Sequence, residues 1–218
     1  MQQLPLFPLG TVLVPGLLLP LRVFEPRYLQ LVADLMRRPE AERVFGVVAI
    51  KAGHEVGEGS ITSLYQVGCT AVVREISEAG DGTVELVTSG AVRFRLHEID
   101  AGADTAYLTG LVTPIEEHEG DDADVAALAR RVGLRFAAYR DQLGTPQIAL
   151  PDSPRVLSYL VAAGMALDLA DRQSLLEQPD TARRLVAELA LLARERVLIE
   201  ALRAVPSGDL LRRPTSAN

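Results

Sequence analysis

The first charged side chain of this 218-residue chain is Arg22, and the stretch before it from Leu4 to Leu21 is apolar but broken by Pro5, Pro8, Pro15, Pro20, Gly10 and Gly16. An uncharged run of this length could be a secretory signal, a membrane span or buried structure. The prolines discriminate. Each interior proline costs a helix about 3 kcal/mol, because it removes a hydrogen bond and clashes with the preceding turn. A lipid-exposed span must satisfy its own backbone polar groups, which this segment cannot do as a helix. A secretory signal places basic residues ahead of its apolar stretch, and residues 1 to 3 are Met-Gln-Gln. The segment is therefore expected to form short buried strands joined by proline turns, with no membrane association.

The rest of the first half continues in this style. Pro26 to Arg38 carries Tyr28, Leu31, Val32 and Leu35 at helical spacing, with proline at the first turn. Val44 to Ile50 is a near-continuous apolar strand, followed by a glycine-rich loop over Gly53 to Gly59. Residues 69–77 and 83–88 are strand-like around the hairpin turn Ala79-Gly-Asp-Gly82. A second turn is expected at Ser89-Gly90, and then Val92 to Ile99 alternates. That alternation puts Val92, Phe94 and Leu96 inward and Arg93, Arg95 and His97 on a solvated face. Tyr107 to Ile115 completes the set. Many short strands with one inserted helix predict a small, partly closed barrel.

The texture changes at Glu116-Glu-His-Glu-Gly-Asp-Asp-Ala-Asp124, whose six carboxylates read as a solvated connection. Helices follow. Val125, Leu128, Val132, Phe136, Tyr139 and Leu143 mark an amphipathic helix of about five turns. Ser153-Pro154 starts a second helix running to about Met165, and Arg172 to Glu177 suggests a short third. Asp180 caps a long last helix with Leu185, Leu189, Leu192, Ile199 and Leu202 as its buried stripe. The predicted class is α+β: a β-rich part over 1–115, an acidic linker over 116–124, a helical bundle over 125–205 and a flexible tail over 206–218.

Charge and composition exclude several function classes. The net charge is −7 with no basic stripe, which disfavours a nucleic-acid partner. The single cysteine, Cys69, precludes an intrachain disulfide and suits a reducing cytoplasm; its apolar surroundings predict a buried packing residue. His54, His97 and His118 show no metal-ligand spacing, and a cation site among Glu116 to Asp124 lacks the pattern of a calcium loop. No metal, cofactor or catalytic site is expected. There is no tryptophan, so an aromatic cage for a cationic ligand is not expected either. Arg22, Phe24, Glu25, Arg27 and Tyr28 form the most distinctive cluster. One reading makes it a strand-to-helix corner held by an ion pair, with Phe24 and Tyr28 in the core; the other places some of these groups on a peptide-binding groove.

Leu4-Pro-Leu-Phe-Pro-Leu9, Val14-Pro-Gly16, Leu19-Pro-Leu-Arg-Val-Phe-Glu-Pro-Arg-Tyr28, Phe45-Gly-Val-Val48, Val67-Gly-Cys69 and Gly90-Ala-Val-Arg-Phe-Arg95 occur in an order that resembles the N-terminal domain of the ATP-dependent Lon protease, the LON substrate-binding domain. Leu175-Leu-Glu-Gln-Pro-Asp180 with Arg184-Leu185 extends the resemblance to about residue 204. It implies a twisted β pseudo-barrel related to PUA-like barrels, a helical bundle, and a role in engaging protein substrates. No Gly-x-x-x-x-Gly-Lys-[Ser/Thr] phosphate loop is present, and Lys51 is the only lysine, so neither an ATPase nor a Ser–Lys peptidase can be built from these residues. The expectation is a non-catalytic module, monomeric or weakly dimeric. It would bind unfolded or tagged polypeptides and possibly a protease machine. A PUA-like small-molecule or RNA binder is the alternative.

Overall fold

The proline-rich opening becomes two strands, β1 (Gln2–Leu9) and β2 (Leu18–Val23), in a computed structural model that describes residues 1–53, 61–120 and 124–204. β1 runs through Pro5 and Pro8 instead of turning at them. It changes partner midway: Gln2–Pro5 pair antiparallel with β7 (Thr109–Pro114), and Leu6–Leu9 pair parallel with β3 (Val44–Gly53). A proline without an N–H is tolerated where one edge of the strand carries no ladder. Pro15 and Gly16 do form a turn, in which Leu17 N donates to Val14 O at 3.2 Å and Gly16 takes φ +83°.

With β5 (Val67–Glu78) and β6 (Val84–Ile99), the pairings form a closed cycle, β1–β7–β6–β5–β3 and back to β1. Every pairing except β1–β3 is antiparallel, and β4 (Ile61–Leu64) extends β3. β6 is long because one of its edges serves two neighbours in succession: β2 over Val84–Ser89, then β7 over Phe94–Ile99. Helix α1 (Pro26–Met36) lays Tyr28, Leu31, Val32 and Leu35 onto Phe7, Phe45 and Leu86. The Ala79–Thr83 hairpin forms as expected, with Ala79 N donating to Thr83 O at 2.8 Å.

The turn expected at Ser89-Gly90 does not exist; β6 continues through it. Glycine is needed at position 90 for packing, since a Cβ there would lie 2.2 Å from the Val14 carbonyl oxygen. Just beyond, Cys69 lies opposite Arg93 but Ala71 lies opposite Gly90, so β6 carries one extra residue. This is a β-bulge. The Thr70 hydroxyl fills it, accepting from Val92 N at 2.9 Å and donating to Val92 O at 3.2 Å. The bulge turns Val92, expected inward, out to solvent, while Phe94 and Leu96 stay in the core.

Helices α2 (Val125–Gln142), α3 (Pro154–Gly164), α4 (Leu169–Leu176) and α5 (Thr181–Ala204) follow. Their starts are set by side-chain caps: Asp124 accepts from Ala127 N at 2.8 Å, Asp168 from Asp171 N at 2.8 Å and Asp180 from Arg183 N at 2.7 Å. Val132, Phe136, Leu157, Val161, Leu175 and Leu185 form their common core. A smaller apolar cluster joins them to the sheet, with Val12, Val14 and Val67 against Tyr159 and Leu176. The acidic connection is less solvated than its composition suggested. The carbonyls of His118 and Glu119 each accept from the first turn of α5, from Thr181 N and Ala182 N at 3.0 Å, and Glu117 turns inward. The expected loop after Gly53, residues 121–123 of the acidic run and the expected tail lie outside the described residues.

Candidate functional site

β2 alternates strictly, and that alternation builds the strand-to-helix corner. Leu19, Leu21 and Val23 pack inward against the core around Phe7 and Phe45. Leu18, Pro20, Arg22 and Phe24 turn outward, and Leu18 and Phe24 are 61% and 53% exposed. Of the two readings of this cluster, one put Phe24 in the core beside Tyr28; Phe24 is outside because it continues the outward register of β2 by one step beyond Val23. Among the described residues β2 is paired only with β6, so its other edge is open. The carbonyls of Leu17 and Leu19 face β6, accepting from Gly90 N and the Thr88 hydroxyl, each at 2.9 Å. The open edge therefore presents Leu18, Pro20 and Arg22, and Pro20 has no N–H to offer there. Such an edge is poor for adding a strand. The row of exposed side chains stands on the outward face of β2.

The remaining corner residues hold this row in place. Glu25 is the N-cap residue of α1 and its carbonyl accepts from Tyr28 N and Leu29 N, with Pro26 opening the helix. The Glu25 carboxylate pairs with the Arg27 guanidinium at 2.9 Å, and Arg27 lies 4.6 Å from the Tyr28 ring centroid. Tyr28 stacks on Phe7 with centroids 4.1 Å apart. Arg22 reaches Asp81 of the β5–β6 hairpin at 2.7 Å in an exposed pair. Between the end of β1 and β2, at the start of α1, lies a cleft of about 230 Å³ lined by Pro8, Leu21, Phe24 and Tyr28. Glu25, Arg27 and Tyr28 thus build the corner, while Arg22 and Phe24 face solvent.

A second cluster appears where sequence reasoning saw only solvated charge. Arg93 points away from the barrel core, as the alternation predicts, but α4 and the linker cover that face and leave it 1% exposed. Its Nε donates to Glu117 at 2.6 Å and its Nη1 to the carbonyls of Leu176 and Gln178 at 2.7 and 2.6 Å. Glu117 also accepts from the Tyr159 hydroxyl at 2.6 Å and lies 3.5 Å from Arg184. Arg184, fully buried, sits 3.9 Å from the Tyr159 ring centroid and donates to the Ser158 hydroxyl at 2.8 Å. Burial raises the Glu117 carboxyl, but the Tyr159 hydroxyl, Arg93 and Arg184 outweigh it and hold the group below the ordinary glutamate value. Glu188, one turn beyond Arg184, is fully buried without a hydrogen bond to a described residue. Burial pushes its carboxyl well above the ordinary range, against a smaller opposing pull from Arg184. These groups tie the sheet to the helices. No alternation rule could reveal them, since the covering elements lie some 80 residues away (|i−j| of 83 and 85). Arg95 stays exposed.

Among the described residues no reactive constellation gathers elsewhere. Cys69 is fully buried, and burial pushes its thiol up to about 12. His97 is exposed, with Nε2 2.5 Å from the Thr113 hydroxyl, and His118 is exposed; His54 lies outside the described residues. Among the described residues no group of three or more His, Cys, Asp or Glu is placed to hold a metal, and no helix is long and apolar enough to cross a membrane.

Comparison with known proteins gives this geometry a context. A family model described as the ATP-dependent protease La (LON) substrate-binding domain matches residues 3–194. The chain is similar to Lon protease 2 of Syntrophobacter fumaroxidans, 30% identical over 186 residues, covering 83% of this chain and 23% of that protein. Lon protease of Escherichia coli K12 is 25% identical over 205 residues, covering 91% of this chain and 25% of that protein. The chain therefore spans about a quarter of the length of these relatives and matches their substrate-binding part, not their protease or ATPase parts. Among solved structures, a Lon N-terminal domain protein from Xanthomonas campestris superposes with a TM-score of 0.63 at 30% identity, covering 87% of this chain and 98% of that one. The N-terminal domain of Mycobacterium avium complex Lon protease superposes at 0.65 with 16% identity, covering 88% and 98%, and shows the shared fold.

Proposed function

The chain belongs to the LON substrate-binding domain family, and from that membership we propose that it is a non-catalytic module that engages unfolded or tagged polypeptide through the outward row of β2. The observation that carries this reading is the exposure of Leu18 and Phe24 beside the α1 cleft. Large apolar side chains held outward by a rigid strand offer an extended client a place to bury its own, at about 1.5–3 kcal/mol per side chain. Arg22 beside them adds a cation at the rim. The closed strand cycle supports a PUA-like assignment for residues 1–115, and the shared core of α2 to α5 supports reading 125–205 as a helical bundle beyond the 116–124 linker. Delivery of the client to a proteolytic machine, a monomeric or weakly dimeric state and a cytoplasmic setting belong to the same proposal.

The test is fluorescence anisotropy with a labelled, permanently unfolded polypeptide. The Leu18→Ser/Phe24→Ser variant should weaken binding about tenfold or more, and its urea midpoint should match the wild type because both side chains are exposed. Equal binding by wild type and variant, or no binding by wild type at roughly 100 µM, which corresponds to about 5.5 kcal/mol, would refute the reading.

A further inference from the structure

The cleft between α2 and α5 carries a charge opposite to that of the molecule as a whole. The chain has a net charge of −7, yet Arg131 and Arg135 of α2 and Arg196 of α5 line one cleft of about 310 Å³. Helical spacing explains the arrangement. Arg131, Arg135 and Tyr139 recur every four residues on one face of α2, and Leu189, Leu192 and Arg196 occupy one face of α5. The floor between the cations is apolar, with Tyr139 and Leu192 almost fully buried. The Tyr139 hydroxyl is committed to Ala166 N at 3.0 Å and is not part of the polar surface.

Arg130 and Arg183 also make no side-chain hydrogen bond or ion pair with a described residue, but neither lines this cleft, and three further arginines of these two helices are engaged within the fold. Arg140 donates to the Pro146 carbonyl, Arg184 belongs to the buried cluster, and Arg194 pairs with Asp171 at 2.6 Å and Glu195 at 2.8 Å. Arg131 and Arg135 make no hydrogen bond or ion pair with a described residue, and Arg196 approaches only Glu200, at 3.9 Å. Like charges around an apolar floor repel one another until anions join them, and guanidinium groups favour carboxylates in forked geometry.

We propose that this cleft binds a polypeptide segment in which carboxylate side chains alternate with apolar ones. The carboxylates would meet Arg131, Arg135 and Arg196, and the apolar side chains would cover Ala138, Leu189 and Ala193, the part of the lining that the fold leaves accessible. A small inorganic anion would leave that floor uncovered. A nucleic acid would meet the repulsion of a molecule of net charge −7 and would find no exposed aromatic face in this cleft to stack on, since Tyr139 is buried. The site lies on the helical part of the chain and does not depend on the β2 reading.

The test uses the whole chain and a labelled peptide of alternating Leu and Glu, read by anisotropy and by amide NMR shifts. Arg131→Gln/Arg135→Gln should weaken binding about fivefold or more, as should raising NaCl from about 50 to about 500 mM. Arg131→Lys/Arg135→Lys should recover part of the loss. Replacing Glu by Gln, or Leu by Ser, in the peptide should each cost a similar factor. In the Leu18→Ser/Phe24→Ser variant the peptide should still shift the amides around Arg131, Arg135 and Arg196, whatever it loses at β2, which separates failure here from failure of the β2 site. The proposal is overturned if the double Gln variant binds unchanged. It is equally overturned if the Ser-containing peptide or tripolyphosphate binds as well as the Leu-containing one, or if sedimentation shows the arginines holding two copies of this chain together.

Discussion

Replacing Arg93 with methionine removes the central tie between the sheet and the helices while keeping most of the buried volume. The guanidinium makes three charge-assisted hydrogen bonds, one to Glu117 and one each to the carbonyls of Leu176 and Gln178. At about 1.5–3 kcal/mol apiece their simple sum overshoots. Methionine restores apolar contact, and Glu117 keeps the Tyr159 hydroxyl and Arg184. The net loss should therefore fall at about 3–5 kcal/mol, the usual cost of removing one partner of a buried ion pair. Against a typical total of about 5–15 kcal/mol this is severe but survivable. With a urea slope of about 2 kcal/mol/M, the midpoint should drop by roughly 1.5–2.5 M. The assay is equilibrium urea unfolding followed by far-UV circular dichroism and by tyrosine fluorescence, since the chain has no tryptophan. The two probes should also separate, because the helices lose their tie to the barrel before either core is breached. Arg93→Lys should recover less than half, since one ammonium cannot reach all three acceptors. A midpoint drop below about 0.5 M for Arg93→Met, equivalent to about 1 kcal/mol, would refute the tie.

Other consequences concern pH and packing. Glu117 is held below its ordinary value of 4.5, so its contribution is present above that pH and is lost as pH falls through the folded value; Glu117→Gln should flatten the acid limb of the stability–pH curve. Glu188 is shifted the other way. The folded state keeps a proton that the unfolded chain releases, so stability should decline as pH rises above about 4.5 toward the folded value, and Glu188→Gln should raise the urea midpoint at pH 8 more than at pH 5. Gly90→Ala places a Cβ 2.2 Å from a backbone oxygen of the Val14 turn and should cost about 2 kcal/mol or more, seen as a lower melting temperature.

Several elements were legible because their cause is local. Pro26 and the Tyr28, Leu31, Val32, Leu35 spacing specify α1, and Asp180 is a cap that needs only its own helix, whereas the expected start at Arg172 misses the Asp168 cap that begins α4 at Leu169. Even so, the Ser89-Gly90 turn was misplaced. Glycine signals a turn and a close approach equally well, and only the position of Val14 tells which applies. Phe24 was likewise placed inward by its chemistry in one reading of its cluster, although the register of β2 carries it outward.

From sequence alone, the uncharged opening with its prolines excludes a helix, and the ordered blocks around Phe24 to Tyr28 identify the family, because backbone sterics and motif order need no third dimension. Tertiary structure decided everything that depends on what covers what. Arg93 and Glu117 read as solvated charge along the chain and become a buried tie because the end of α4 and the start of α5 close over them. Leu18 and Phe24, in a run expected to be buried, stay outside because nothing among the described residues closes over β2. Burial belongs to pairs of surfaces brought together from distant parts of the chain, and a one-dimensional pattern records only one member of each pair.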